Sequence, residues 1–437
     1  MMGKRYKKKE RKRVAADFEK LIKMSKELFF YGCDVDAWMP EIILFPFVSL
    51  QWNLNPLWYR MIAPPGSGKS EHLELLHDFE LTYTIDELTP KSLMSGYRGQ
   101  DGGDPSQLQH FDGKVIIVSD ESTLMEQRQE DRNMVQSTLR RAYDGRNTKA
   151  YGNMKEKQEY KTHFNMLVGS TPSIDRYFQY QQQLGERFTN YRAQVPDRKT
   201  LARCSLDNQF TSFNDRRDIL KQEYHKFIRK LPDVDVNDII LTDEIREMLV
   251  NAADFVALIR THISRDSTGR HVTLVPQPET PGRLVKQMSQ TAMCDAVLHG
   301  AKVITMEHCY KALYMGLASI SAVTIFILNH IWRIANMPGV RKGAIWFTTN
   351  DIVNRTAFGR GTCMYELENL NIYRVLEARN GRRQGGRLLE YRLSEKYWKL
   401  LHNLKFFKYY RPPVDEIVVI QESKKRNKAG KSFEPVD

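Results

Sequence analysis

The stretch Ala63-Pro64-Pro65-Gly66-Ser67-Gly68-Lys69-Ser70 limits what this chain can be more than any other. An apolar run, Leu57-Trp58-Tyr59-Arg60-Met61-Ile62, leads into it and reads as a buried strand. Leu73, Leu75 and Leu76 behind Ser70 read as the start of a helix. Strand, glycine-rich turn and helix in that order make a cradle for phosphate. Pro65, Gly66, Ser67 and Gly68 would let the backbone wrap an anion closely, with the free N–H groups of the helix start behind them. Lys69 is expected to reach the β- and γ-phosphates of a nucleotide such as ATP, and Ser70 to hold Mg²⁺. Ala63 stands where the strict pattern begins with Gly, and a bare glycine-rich turn is the alternative.

A second stretch fits the first. Lys114-Val115-Ile116-Ile117-Val118-Ser119-Asp120-Glu121 carries a β-branched apolar run suited to a central parallel strand. Two carboxylates close it, at the end of a strand where α/β sheets place their ligands. Asp120 is expected on the metal, directly or through water, and Glu121 on the attacking water. A surface acidic turn is the alternative. Between the two stretches, Leu81–Ile85 reads as a strand and Thr89–Gly96 opens a short helix before a glycine-rich loop.

Further on, a helix is expected over Glu126–Tyr143, then a turn at Asp144-Gly145. Lys149–Tyr151 and Gln158–Lys161 read as a hairpin with Lys155 and Lys157 near its tip. His163–Thr171 is another buried strand, ending before Pro172. Leu184-Gly185-Glu186-Arg187-Phe188 follows.

This order of parts resembles an AAA+ ATPase, in the branch that holds the minichromosome-maintenance helicases and their phage and mobile-element relatives. The resemblance covers roughly residues 55 to 320. Thr-Pro-Lys-Ser-Leu-Met-Ser-Gly, Tyr-Asp-Gly and Leu-Gly-Glu-Arg-Phe look like phrases of prophage-encoded members. It implies an α/β phosphate-loop core with a helical lid. Thr171 stands where the family's sensor-1 Asn usually stands. Arg187 matches the arginine finger that acts on a neighbouring subunit's nucleotide, with an intrasubunit salt bridge as the alternative; Arg192 is the weaker second candidate. Thr280–Lys286 resembles the sensor-2 segment, making Arg283 a γ-phosphate contact. The hairpin matches the element that projects into the channel of ring helicases, so Lys155 and Lys157 become DNA contacts.

Beyond residue 338 the pattern changes. Thr348–Val353 begins a helix that Thr349 or Asn350 can cap. Phe358–Gly361 turns into a second helix, Thr362–Leu370. Tyr373–Ala378 and Leu388–Leu393 then alternate as strands around a basic, glycine-rich Arg379–Gly386. This looks like a winged helix whose wing offers Arg379, Arg382 and Arg383 to DNA. The same fold also serves as a protein-interaction module.

The net charge of +13 over 437 residues favours a polyanionic partner, nucleic acid first. Met1–Arg13 holds eight basic residues and one acid, and Lys424–Lys428 is a second basic run; both read as disordered tails. The five cysteines form no Cys-x-x-Cys, so reduced thiols, a cytoplasmic setting and no zinc site are expected. The N-terminus shows no secretory pattern. Ala312–Trp332 carries no charge, yet its Ser, Thr, Asn and His residues make it a buried helix rather than a bilayer span.

The expected division is a basic tail and helical preface over 1–50, the ATPase core over 51–205, and the lid with a connecting helix over 206–338. A winged helix over 339–412 and a basic tail over 413–437 complete it. The expected function is an ATP-driven, DNA-dependent ring motor, a hexameric replicative helicase of a phage or mobile element, working with other replication proteins and no membrane. The alternative is an AAA+ helicase loader, initiator or transposition regulator that binds DNA without unwinding it. A third class is a structural or defence ATPase without a nucleic-acid partner.

Overall fold

The computed structural model describes residues 6–29, 38–97, 103–151, 157–177, 186–193, 198–261, 263–266, 271–337, 344–356, 358–383, 386–405 and 407. The chain divides into two compact units: Met1–Val250 with Gly282–Ser319, and Asn251–Pro281 with Ile320–Asp437. This division cuts across the expected lid, because Gly282–Ser319 joins the first unit and Ala322–Ala335 the second.

The first unit is α/β. Its five-stranded sheet takes β1 (Trp58–Ile62), β2 (Thr82–Ile85), β3 (Val115–Val118), β6 (Asn165–Ser170) and β7 (Thr189–Arg192). Their order is β2-β3-β6-β1-β7, parallel throughout. β4 (Arg146–Lys149) and β5 (Gln158–Lys161) form a separate antiparallel hairpin inserted between β3 and β6. Every residue of β1, β3 and β6 is buried, which explains why these strands read as continuous rather than alternating apolar runs. β3 and β6 run so close at their ends that a Cβ on Gly169 would lie 2.1 Å from the Ser119 carbonyl oxygen. Asn165 ties the sheet to the preface: its Oδ1 accepts from Leu57 N at 2.7 Å and its Nδ2 donates to Pro46 O at 2.6 Å.

Three expectations change here. The basic N-terminal block is helical from Lys8, the first residue of the helix Lys8–Leu28, because Val14, Phe18, Leu21 and Ile22 bury one face of it. The expected helix over Glu126–Tyr143 begins at Gln129, and a separate short helix, Ser122–Glu126, precedes it. The first hairpin strand begins earlier than expected, directly after Gly145, whose φ of +85° makes the turn.

The uncharged run Ala312–Trp332 is broken into the helices Met306–Ala318 and Ala322–Ala335. Ser319 hydrogen-bonds back to Met315 O at 3.0 Å, and Ser321 caps the second helix at Thr324 N. No single helix among the described residues is long and apolar enough to cross a membrane.

The second unit holds a short hairpin, β8 (Ser264–Arg265) with β9 (Val272–Leu274). Its main sheet is antiparallel, in the order β10-β12-β11: β10 (Phe347–Thr348), β11 (Leu376–Arg383) and β12 (Gly386–Leu393). The helices Thr349–Arg355 and Arg360–Ile372 precede the long hairpin, and Glu395–Leu404 follows it. Thr348, one residue before the expected caps, closes the first helix in a reciprocal box with Asp351. The strands run farther into the basic segment than expected, because Arg379 opposite Glu390 and Glu377 opposite Arg392 continue the ladder with opposite charges. The Cys294, Cys309 and Cys363 thiols are buried.

Candidate functional site

A cavity of about 880 Å³ lies where β1, β3 and β6 end. Its walls include Pro64–His72, Asp120 and Thr171, together with Phe29, Asn208, Gln209 and the stretch Thr211–Asp215. The loop takes the form its glycines permit. Gly66 and Gly68 have φ of +73° and +80°, left-handed values that a residue with a Cβ adopts only with strain. A Cβ on Gly66 would meet nothing within 4 Å, so the loop's inner side faces open space. Ser67 Oγ is buried with no hydrogen-bond partner among the described residues.

Lys69 is only 7 % exposed, and its Nζ donates to Ser170 O at 3.0 Å. The same carbonyl accepts from Ala63 N at 3.1 Å, which closes the loop on the end of β6. Burial pulls the Lys69 pKa below its ordinary value, against the opposing pull of Asp120 and Glu121. Ser70 and Asp120 are exposed and line the same cavity. Asp120 Oδ1 already accepts from Ser122 N at 2.9 Å and Ser122 Oγ at 2.7 Å, so the carboxylate is oriented. An anionic ligand with a hard cation fits this donor set: one ammonium, one orphaned hydroxyl, one serine and one oriented carboxylate. Thr171 lines the cavity as well, its hydroxyl 2.6 Å from that of Ser173.

Glu121 behaves differently. It is 3 % exposed and does not line the cavity. Its Oε1 lies 2.7 Å from Arg60 Nε in a buried ion pair. Arg60, 2 % exposed, also reaches Glu186 Oε2 at 3.3 Å and Asn190 Oδ1 at 3.2 Å, with its guanidinium 4.5 Å from the centre of the Phe188 ring. Burial pushes the Glu121 carboxyl above its usual range; Arg60 opposes this, but its charge is shared with Glu186. Burial alone would lower the Arg60 pKa, and the two carboxylates more than offset it. The sequence reading passed over Arg60 because it sits inside an apolar strand.

His72 was also missed. It is fully buried on the helix Lys69–Glu74 that leaves the loop, with Nδ1 2.7 Å from Gly68 O. A carbonyl only accepts, so Nδ1 carries a proton. Burial lowers its pKa to about 4, against that hydrogen bond. Phe29 packs on the ring at 4.3 Å. The helix Phe213–Arg229 is strapped alongside by the ion pairs Arg217–Glu71, Lys221–Asp78 and Arg229–Glu80.

The arginines assigned from the resemblance lie together, outside the cavity. Arg187 pairs with Asp144 at 3.2 Å and packs 5.5 Å from the Tyr143 ring centre. Arg283 Nη1 donates to Glu186 O at 3.0 Å, and Gln287 Nε2 to Arg187 O at 2.7 Å. The helix Gly282–Leu298 therefore holds the Glu186–Arg187 backbone, and neither arginine lines its own chain's cavity. Arg192 is bound to Asp175 by two contacts of 2.5 and 3.0 Å.

The hairpin β4–β5 is braced at its base. Asn147 Nδ2 donates to Thr138 O at 2.8 Å, and the Tyr160 hydroxyl donates to Asp104. Lys157 is exposed, whereas Lys155 lies outside the described residues. In the second unit, Arg379 pairs with Glu390 at 2.7 Å and stacks on Trp346 at 4.1 Å. Arg382 and Arg383 lie on β11, with side chains outside the described set. Of the N-terminal basic block only residues 1–5 lie outside it, whereas the C-terminal basic run lies wholly outside. One further cluster, Glu41, Asp295 and His299, has metal-like spacing. Lys311 Nζ occupies its centre, 2.8 Å from Glu41 and 2.7 Å from Asp295, so an ammonium already supplies the positive charge.

No protein-family profile matches the chain, and comparison with curated proteins finds no match.

Proposed function

We propose that the chain is an AAA+ ATPase that uses ATP and Mg²⁺ to drive movement on DNA as a homo-oligomeric ring, a replicative helicase of a phage or mobile element. The observation that carries this reading is the convergence of Lys69, Ser70, Asp120 and Thr171 on one cavity at the ends of β1, β3 and β6. The hairpin inserted directly before β6 supports the motor over a plain phosphate-binding fold. The antiparallel sheet with its two preceding helices supports a winged helix.

In this reading Lys69 and Ser67 hold the terminal phosphates, and Ser70 and Asp120 hold the metal, directly or through water. When bound, Mg²⁺ neutralises phosphate charge and orients the transferred group. Glu121 orients the attacking water only after it leaves Arg60, so turnover requires a local rearrangement at the back of the site. Arg187 and Arg283 serve as a pair on a neighbour's nucleotide, since both are held to the same backbone segment away from their own cavity. The Arg187–Asp144 pair would open for this, with Asp144 61 % exposed and the Arg187 side chain 13 % exposed.

The need to release Glu121 also favours the second reading, a loader or initiator whose hydrolysis waits on a partner and which separates no strands. Two measurements test the proposal. Lys69→Ala should lose ATP binding and all hydrolysis; retained hydrolysis removes the nucleotide site. On a forked duplex, ATP-dependent strand displacement selects the helicase. DNA-stimulated hydrolysis without displacement selects the loader.

A further inference from the structure

The second unit contains an aromatic and cationic cavity that has no part in the proposed ATPase site. Two helices build it, Ala322–Ala335 and Glu395–Leu404. Trp332 comes from the first, His402 from the second, and Phe407 from just beyond. The Trp332 ring lies 6.3 Å from His402 at 37° and 5.9 Å from Phe407 at 31°. Trp398 backs the array, 5.1 Å and 14° from His402, and 6.4 Å and 23° from Trp332. Elsewhere both arrangements occur, edge-on for Trp58 on Tyr143 at 89° and stacked for Trp58 on Phe164 at 28°. Here the four ring pairs lie between 14° and 37° of parallel, so the array is closer to a stack than to a set of edge contacts.

Beside them opens a cavity of about 380 Å³, lined by Asn329, Trp332, Arg333, His402, Lys405 and Phe407. That size falls within the ~300–1,000 Å³ of ordinary small-ligand sites. The lining holds two cations and no carboxylate. Arg333 and Lys405 are both exposed, so a bound anion would keep its access to water. Next to the cavity, burial together with Arg333 and Arg355 lowers the His330 pKa. Asn329 is 3 % exposed, and its Nδ2 has no acceptor among the described residues. A purely apolar contact would have no use for a buried amide donor and two flanking cations.

We infer that this cavity binds one unpaired nucleotide of a single-stranded nucleic acid. The base stacks on the ring array, where any π-face serves and sequence matters little. Arg333 and Lys405 neutralise the flanking phosphates, and Asn329 Nδ2 donates to a carbonyl on the base. A paired base cannot enter, because its faces are already stacked. The inference does not rest on the ATPase reading, since the cavity lies wholly within the second unit and needs no nucleotide.

The test uses the full-length protein without ATP. The probe is a fluorescein-labelled oligothymidylate of about 16 nucleotides, titrated at several salt concentrations beside a blunt duplex. Phe407→Ala and His402→Ala should each weaken oligothymidylate binding roughly tenfold with an unchanged salt slope, and leave duplex binding alone. The double change Arg333→Gln and Lys405→Gln should lower the slope by about 1.4, at ~0.7 per phosphate contact on single strands. The exposed cations leave the fold intact, so this second arm stands even if an aromatic variant misfolds. Lys69→Ala should bind the strand like the unmodified protein, which separates this site from failure of the ATPase reading. Unchanged strand binding in all variants overturns the inference, and so does equal loss on duplex and single strand. A change in sedimentation without loss of strand binding also overturns it, making the face a contact between copies of the chain.

Discussion

Asp120 and Glu121 are adjacent in sequence and have opposite fates. Asp120 stands exposed in the cavity mouth, oriented by Ser122. Glu121 turns behind the sheet end into a buried group with Arg60 and Glu186. The backbone explains the divergence. β3 stops at Val118, and Glu121 N bonds Gly169 O at 2.9 Å, fixing Glu121 against β6 while Asp120 remains outside. An acidic pair at a strand end is therefore two kinds of group. One is ready to meet a cation, and the other is held by a cation already. The sealed group also touches the outward segment, since Glu186 precedes Arg187. A shift of the Glu186–Arg187 backbone would thus reach Glu121 through a single side chain, Arg60.

The largest test of that contrast lies at its outer end. Arg187→Ala should bind ATP nearly normally and hydrolyse it about 10³-fold more slowly or worse, the scale of a transition-state arginine. Mixing it with the Lys69→Ala protein pairs an intact loop with an intact finger at some interfaces, so activity should partly return. If subunits exchange and the mixture stays inactive, the arginine acts within its own chain.

Next is stability. Arg60→Met leaves Glu121 and Glu186 buried without their cation and should destabilise the first unit by about 3–5 kcal/mol in urea unfolding. Adding Glu121→Gln removes one of the stranded charges and should recover much of the loss. Asp120→Asn, at the exposed mouth, should change stability by no more than about 0.5 kcal/mol. Equal losses from Arg60→Met and Asp120→Asn would erase the distinction between mouth and back.

The mouth was legible in the sequence and the back was not, for a reason of distance along the chain. Lys69, Ser70 and the glycines act within one turn, and their geometry follows from local residue types. Asp120 is read from the strand before it. Arg60 takes its meaning from Glu186, 126 residues later, and inside an apolar strand it looked like a tolerated exception. Thr348 was bypassed for Thr349 because both can cap; only the pairing with Asp351 selects between them. The first wing strand was expected to stop at Ala378, since opposite charges extend a strand only when the partner strand is known.

The smallest effect concerns the loop that joins mouth to back. His72 is held neutral by burial, with a folded pKa of about 4 against an ordinary 6.5, even though its bond to Gly68 O favours the charged ring. Below pH 6.5 the unfolded chain takes up a proton that the folded chain refuses. The unfolded state thus binds more protons, and stability rises with pH across this window. His72 therefore costs nothing above about pH 7 and destabilises progressively as pH falls from 6.5 towards 4. Between pH 7 and pH 5 the loss from this residue should be about 2 kcal/mol. His72→Gln cannot take up a proton, and its amide can still donate to the Gly68 carbonyl. In urea unfolding at the two pH values, the variant should lose about 2 kcal/mol less stability on acidification than the unmodified protein. The same pH slope in both would place the acid sensitivity elsewhere than at His72.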